Sequence, residues 1–437
     1  MPRLSRDLAT WLIYLQLGLW GYFNYGFGPI VPLLRAEQGT SAAVAGLHST
    51  AIAVGAVAGG ALYPHLSRRF GRGPVLWACQ AVIAAGVLGF VLLPAYFAVT
   101  IGLTVVIATA GIAAIGGIVS ALAERHGPAG PAAISEANAV ACAAGLVAPL
   151  IIGAAIRAGW GWRAGLALLV ALIALVAVAA MIKGVRIPSG HAAPVVAGTG
   201  LAVVPATADR VAASDAERVA AVAVDSRAAA PAGDGPVHPR GVRLPGAYWL
   251  AWGMMTVTGA VEVVLSMWTA EVLRGQVGLS AGAATAVMSA MVGGMFAGRL
   301  AGARIALRMS AIPLYFGALA LSLAGFIVFW SAGSAVVAVA GLIVVGLGNA
   351  MHYPLAISLA VAAAPGQADR AAGVASYSMA VSFGAGPLLL GLVADQVGAH
   401  AAFLFIPLLI AGAAYLAWRF AATGRTSLTP ALATDPA

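Results

Sequence analysis

Charge is scarce in this sequence. Only 8% of its 437 residues are Asp, Glu, Lys or Arg, against roughly 25% in an ordinary soluble domain. Lysine is nearly missing: of 23 basic residues only Lys183 is one. A water-soluble fold of this length could not cover its surface with so few charges. That excludes a soluble enzyme, a disordered chain and a nucleic-acid binder. Cysteine is scarce too. Cys79 and Cys142 sit in apolar stretches and supply neither a disulfide framework nor metal-ligand spacing. They read as buried, inert thiols. Period-two alternation is missing, which argues against a β-barrel. There is no Walker loop, and Gly346-Leu-Gly348 falls inside an apolar run rather than after a strand. Neither ATP-driven transport nor dinucleotide chemistry is expected, and no cofactor or metal.

What the sequence has is apolar length. Hydrophobic residues make up 62% of it, and the mean hydropathy is +0.97. Apolar runs fall near 11–34, 42–64, 75–98, 99–122, 137–157 and 164–183, and resume near 247–270, 283–303, 311–330, 335–358, 371–394 and 401–421. Each can cross a hydrocarbon layer of about 30 Å as a helix rising about 1.5 Å per residue. The first is too long for a signal-peptide core. The expected fold is an all-α membrane protein with twelve transmembrane helices: an N-terminal six-helix bundle over 1–184, a linker over 185–243, a C-terminal bundle over 244–421 and a tail over 422–437. The linker carries Pro188, Pro194, Pro205, Pro231, Pro236 and Pro239. Its 206–230 stretch could form a surface helix or simply connect the halves.

Arginine placement sets the orientation. With the N-terminus inside, inner segments hold 19 basic residues and outer ones four, namely Arg35, Arg157, Arg163 and Arg274. Leaving out the linker, the count is still 12 to 4. Both termini and the linker are therefore expected in the cytoplasm of a cell whose inner or plasma membrane holds the protein.

The two sets of runs repeat. A shift of 238 residues lays Pro149-Leu-Ile-Ile-Gly153 on Pro387-Leu-Leu-Leu-Gly391, Gly60 on Gly298, Leu62 on Leu300 and Asn24 on Glu262. Parallel six-helix repeats about an axis along the membrane normal are a transporter architecture.

With six runs, a linker and six runs, the chain resembles the major facilitator superfamily over nearly its whole length. After the second run, Arg69, Gly71 and Arg72 match the family's Gly-x-x-x-Asp-Arg-x-Gly-Arg loop, with Pro64 and Arg68 standing where the family has Gly and Asp. The fifth run, Gly145-Leu-Val-Ala-Pro149-Leu-Ile-Ile-Gly153, is similar to a glycine/proline helix motif of the family's exporters. The resemblance implies secondary transport by alternating access. It assigns Arg68–Arg72 to the conformational cycle, with Glu124 as a candidate acid partner. It also implies that the first, fourth, seventh and tenth helices line the path.

Few ionisable residues fall deep in the runs. Glu262 is the one carboxylate well inside a run, His352 the one histidine near a run's centre, and no basic residue is read near mid-span. Burying a charge at that depth costs at least about 3 kcal/mol. A carboxyl held away from water keeps its proton to higher pH, which suits proton carriage. Glu262 is thus either a proton- or substrate-binding group or a protonated structural acid. Thr258, Ser266 and Thr269 extend a polar stripe on its helix. Asn349, His352 and Tyr353 share a face at i, i+3 and i+4, either to meet a ligand or to hydrogen-bond between helices. Asn24 and Tyr25 come from the first run, and Trp20 and Trp268 are either pocket walls or lipid-facing bulk.

Without fixed positive charge at mid-depth, a dianionic substrate is disfavoured. The expected cargo is a small neutral, cationic or amphiphilic solute, moved with protons by a monomer in the lipid bilayer. An uncoupled facilitator, a drug-type exporter and a transport-dead sensor are the other readings; a sensor would be expected to carry a large soluble domain.

Overall fold

The structure is a computed structural model that describes residues 6–126, 130–185, 243–306, 308–364 and 368–426. Apart from its two end residues, the linker expected at 185–243 lies outside them, as does the tail beyond Thr426.

Twelve long helices account for the described chain. They are α1 (Leu8–Gln38), α2 (Ala42–Phe70), α3 (Arg72–Leu92), α4 (Phe97–His126), α5 (Gly130–Arg157) and α6 (Gly161–Ile182), then α7 (Gly246–Val277), α8 (Ala281–Ala306), α9 (Ala311–Trp330), α10 (Ala335–Ala362), α11 (Ala368–Val397) and α12 (Phe405–Thr426). A single turn, Ala399–Ala402, precedes α12. Eleven are long and apolar enough to cross a membrane. The exception by composition is α1, which has the length but carries Gln16 and Tyr22, both buried in protein rather than facing lipid. With twelve helices running alternately up and down, the start of α1 and the end of α12 share one face, the near face; the α1–α2 and α7–α8 turns lie on the far face.

The expected repeat governs the packing. In the N-terminal half α1 packs on α5, α2 on α4 and α3 on α4; in the other half α7 packs on α11, α8 on α10 and α9 on α10. The small residues explain how closely the helices approach. A Cβ on Gly55 would stand 2.7 Å from the Val105 carbonyl oxygen, and one on Gly298 would stand 2.6 Å from that of Leu347. Gly55-x-x-x-Gly59 on α2 corresponds to Gly294-x-x-x-Gly298 on α8. The partner of Gly298 is therefore Gly59, not Gly60, which meets nothing within 4 Å. The offset is 239 residues here rather than 238. The turns agree: α1 ends on left-handed Gly39 and Ser41 caps α2, while α7 ends on left-handed Gly278 and the Ser280 hydroxyl accepts from the Ala283 amide.

The halves meet through α2 with α11, α5 with α8, and α1 with α7. On α2 and α11, Asp395 accepts from the Ala42 and Ala43 amides at 2.6 and 2.9 Å, capping the positive end of α2. Pro387 and Gly391 are part of this seam: a Cβ on Gly46 would lie 2.7 Å from the Pro387 carbonyl oxygen, and one on Gly391 2.7 Å from the Ala42 carbonyl carbon. On α5 and α8, a Cβ on Gly153 would lie 2.9 Å from that of Ala286, and Arg157 donates to the Gly282 carbonyl. Arg35 and Glu271 form an ion pair between α1 and α7. These contacts lie towards the far face and seal it.

Candidate functional site

Between the halves lies a cavity, lined from α1 by Trp20, Asn24 and Tyr25, from α5 by Asn138, from α7 by Glu262, from α8 by Arg299, from α10 by Asn349 and Tyr353, and from α11 by Met379 and Phe383. A second, smaller void continues towards the far face, past Phe27, Gly28, Ser49, Ser266 and Met267. Asn24, Tyr25, Glu262 and Phe383 border both and form a waist.

The packing positions these side chains. Gly145 on α5 makes room for the Tyr25 ring: a Cβ there would stand 2.9 Å from Tyr25 Cγ. Gly111 on α4 receives Trp20, which is 3% exposed and lines the cavity. Trp268 is fully buried, so neither tryptophan faces lipid. Beyond the waist α1 crosses α7 where a Cβ on Gly28 would lie 2.6 Å from the Ser266 carbonyl oxygen. Gly28 and Ser266 are themselves related by the 238-residue shift, so this crossing sits near the pseudo-symmetry axis.

Of the sequence-derived candidates, Asn24, Tyr25, Glu262, Asn349 and Tyr353 share the larger cavity, and Ser266 joins the smaller void. His352 does not line either. It is buried against α9, with Nε2 3.3 Å from Ser322 Oγ and its ring beside Tyr315. Successive helical residues turn by about 100°. Asn349 and Tyr353 therefore face the cavity while His352 falls off the edge of that face. Asn349 does both things read from sequence: it borders the cavity, and Oδ1 accepts from Ser322 Oγ at 3.1 Å. Tyr22 turns to α6 and donates to the Gly165 carbonyl at 2.7 Å. Thr258 donates back to the Met254 carbonyl at 2.8 Å.

Arg299 is the main correction. The sequence reading counted it among cytoplasmic arginines and saw no basic side chain at depth. It stands seven residues before the end of α8 and lines the cavity with Glu262. The signal was present, since Arg299 lies inside the 283–303 apolar run. Asn138, inside the fifth run, was overlooked in the same way. Glu262 feels Arg299 electrostatically, yet the two are not paired within 4 Å. The hydrogen bond found for Arg299 runs from Nη1 to Cys142 Sγ at 3.1 Å, and its Nε is buried without a partner. Asn349 Nδ2, the Tyr353 hydroxyl and Trp20 Nε1 are likewise buried and unpartnered. The cavity thus presents one acid, one guanidinium and several idle donors.

At the near face, Gly71 joins α2 to α3 with φ +82°, a conformation that L side chains rarely adopt. Arg68 and Arg69 are exposed, with the Arg69 guanidinium 5.3 Å from the Phe70 ring centre. Arg72 is 3% exposed, and its Nη1 lies 2.5 Å from Glu124 Oε2 on α4.

Comparison with known proteins bears on the architecture. A search of curated proteins gives no match. Among solved structures, a bacterial homologue of the human lysosomal transporter Spinster, inward-facing and unoccupied, superposes with a TM-score of 0.71 at 14% identity, covering 96% of this chain and 98% of that one. The peptide transporter POT in complex with sulfate gives 0.70 at 15% identity, covering 97% of both chains. The nucleoside transporter NupG gives 0.66 at 15% identity, covering 95% and 97%. At such identities the likeness is one of fold. The sequence profile of the Major Facilitator Superfamily matches residues 9–384. That span holds most of both bundles, and the chain belongs to the major facilitator superfamily, a family of transporters rather than enzymes.

Proposed function

We propose that this protein is a proton-coupled secondary transporter of a small organic solute, working by alternating access, with Glu262 as the coupling group. The observation that carries the reading is the position of Glu262 at the waist, bordering the voids on both sides. It has no ion-pair or hydrogen-bond partner among the described residues. An acid held at depth without a partner is expensive unless it trades its charge for a proton or a ligand. Bordering both voids, it can make that trade towards either face as the halves rock. Asn24, Tyr25, Asn349, Tyr353 and Ser266 are its neighbours in binding. His352 acts through the packing of α10 on α9. Arg68–Arg72 and Glu124 serve the conformational cycle at the near face, which we place in the cytoplasm on the arginine bias. The cavity is complete within one chain, so a monomer suffices. A dianion remains disfavoured, because ionised Glu262 cancels the charge of Arg299.

The test is transport in proteoliposomes, using a solute selected by thermal stabilisation of the purified protein. Glu262→Gln keeps the shape and removes the titration. It should abolish accumulation driven by a pH gradient while leaving exchange across equal pH. If the variant accumulates solute like the parent, Glu262 is structural. If the parent itself ignores the gradient, the protein is an uncoupled facilitator or uses another ion.

A further inference from the structure

We infer that the cargo carries a single carboxylate or similar monoanionic group, received by Arg299, and that it moves together with the proton on Glu262. This rests on the transporter reading above and adds the chemistry of the substrate.

The argument begins with donors. A guanidinium offers five N–H groups in a rigid fork matched to a carboxylate. Arg299 spends one of them on the Cys142 thiol, a weak acceptor, and another is within reach of the Tyr25 hydroxyl, while its Nε is buried with no partner. Asn349 Nδ2 and Trp20 Nε1, on side chains each 3% exposed, and the Tyr353 hydroxyl are unpartnered too. All four residues line one cavity. Idle donors occur elsewhere in the protein, at Tyr63 and Trp268 for example, but here they gather around a cation in one cavity, an arrangement that suits an anion rich in acceptors. Glu262 does not fill that role, since it does not pair with Arg299.

Charge arithmetic then limits the ligand. The titratable and charged groups around Glu262 are Tyr25 on α1, Cys142 on α5, Arg299 on α8 and Tyr353 on α10; α11 contributes Met379 and Phe383. The empty cavity, with Glu262 ionised and Arg299 charged, sums to zero. Protonated Glu262 leaves one positive charge, which one negative charge on the solute balances. Both the empty and the loaded carrier then cross between states without net charge in the cavity, avoiding the cost of moving a charge through a low dielectric. A dianion, an amine or an amide breaks this balance or leaves the guanidinium idle. The proton goes onto the Glu262 carboxylate as the anion reaches Arg299, and both leave together, so the co-transport is electroneutral.

The experiment uses the full-length purified protein and thermal stabilisation. The probes are small aliphatic and aromatic skeletons, each supplied as carboxylate, primary amide and amine, together with dicarboxylates. Stabilising compounds should be monocarboxylates, and more strongly so at acid than at alkaline pH. Arg299→Gln should weaken their binding about tenfold or more. Arg299→Lys keeps the charge but loses the fork and should fall between. Glu262→Gln should bind carboxylates with little dependence on pH. The comparison of carboxylate with amide on one skeleton needs no variant, so it stands even if a variant folds poorly. Stabilisation by amines or amides in preference, no stabilisation by any carboxylate, or carboxylate binding unchanged in Arg299→Gln overturns the inference. The two proposals fail separately. A pH gradient that drives an amine or amide sinks the carboxylate assignment alone. Carboxylates that bind at Arg299 but ignore the gradient sink the coupling alone.

Discussion

Thr50 and Ser289 perform the same task on opposite sides of the molecule. The Thr50 hydroxyl donates to the Gly384 carbonyl at 2.7 Å, joining α2 to α11, and the Ser289 hydroxyl donates to the Leu146 carbonyl at 2.6 Å, joining α8 to α5. The acceptors are 238 residues apart and the donors 239. Two bonds, related by the internal repeat, thus cross two of the three seams between the halves. Each is worth about 1 kcal/mol, so losing both should favour the form open at the far face by roughly 30-fold. Ser266→Cys, which lines the void on that side, reports it. Its labelling from the far face by an impermeant thiol reagent should speed up modestly in Thr50→Ala or Ser289→Ala and much more in the double variant. The parent, whose two cysteines are buried, is the control. Equal rates in all four proteins would mean that the seams hold without these bonds.

Arg72 and Glu124 should be coupled. The guanidinium is 3% exposed and the carboxylate 51% exposed. Solvent weakens the pair from one side, but removing Glu124 strands a buried cation. Glu124→Ala should therefore cost about 1 kcal/mol or more, beyond the median for an exposed pair. Reversing both charges should recover part of what either reversal loses, read as transport rate and melting temperature. A double reversal no better than the worse single one would uncouple the two residues.

Asp7 gives the near face a defined acid limit. It caps α1, with Oδ1 accepting from the Thr10 amide at 2.9 Å, and it pairs with Arg125. Burial opposes its charge, but the hydrogen bonds from Arg125 and Thr10 outweigh this and bring its pKa from 3.8 down to about 2. A depressed carboxyl contributes stability that is full above its unfolded pKa and lost as pH falls through its folded one. The melting-temperature gap between the parent and Asp7→Asn should be constant from neutrality to about pH 4 and close as pH nears 2. It should be small, because the carboxylate is 43% exposed. A gap that widens on acidification would contradict the assignment.

The orientation is tested at Ser214, in the linker outside the described residues. In intact cells Ser214→Cys should resist a membrane-impermeant thiol reagent and react only after permeabilisation. Labelling without permeabilisation would turn the molecule over.

Much of this was legible because membranes make polarity conspicuous. Glu262 stood out as the one acid deep in a run, and Asn24 came with it through the repeat. Arg299 did not stand out. An arginine near the end of a run counts as much for a cytoplasmic flank as for a cavity wall, and only the path of α8 decides between them. His352 failed for an angular reason: three residues at i, i+3 and i+4 span about 100° of the helix surface, and a cavity edge can fall within that arc. The glycine register failed for another reason. A gap-free shift cannot follow an offset that changes from 238 at Gly28 and Ser266 to 239 at Gly59 and Gly298, although the backbone distances show it at once.

Glu262 belongs to the walls on both sides of the waist, together with Asn24, Tyr25 and Phe383. Two voids with separate polar walls could each hold a molecule, one queuing behind the other. With one carboxyl common to both, a solute that has engaged it from the near face leaves nothing equivalent for a second arriving from the far face. On that reading the stoichiometry is one molecule per cycle, and solutes on the two sides of the membrane compete for a single place.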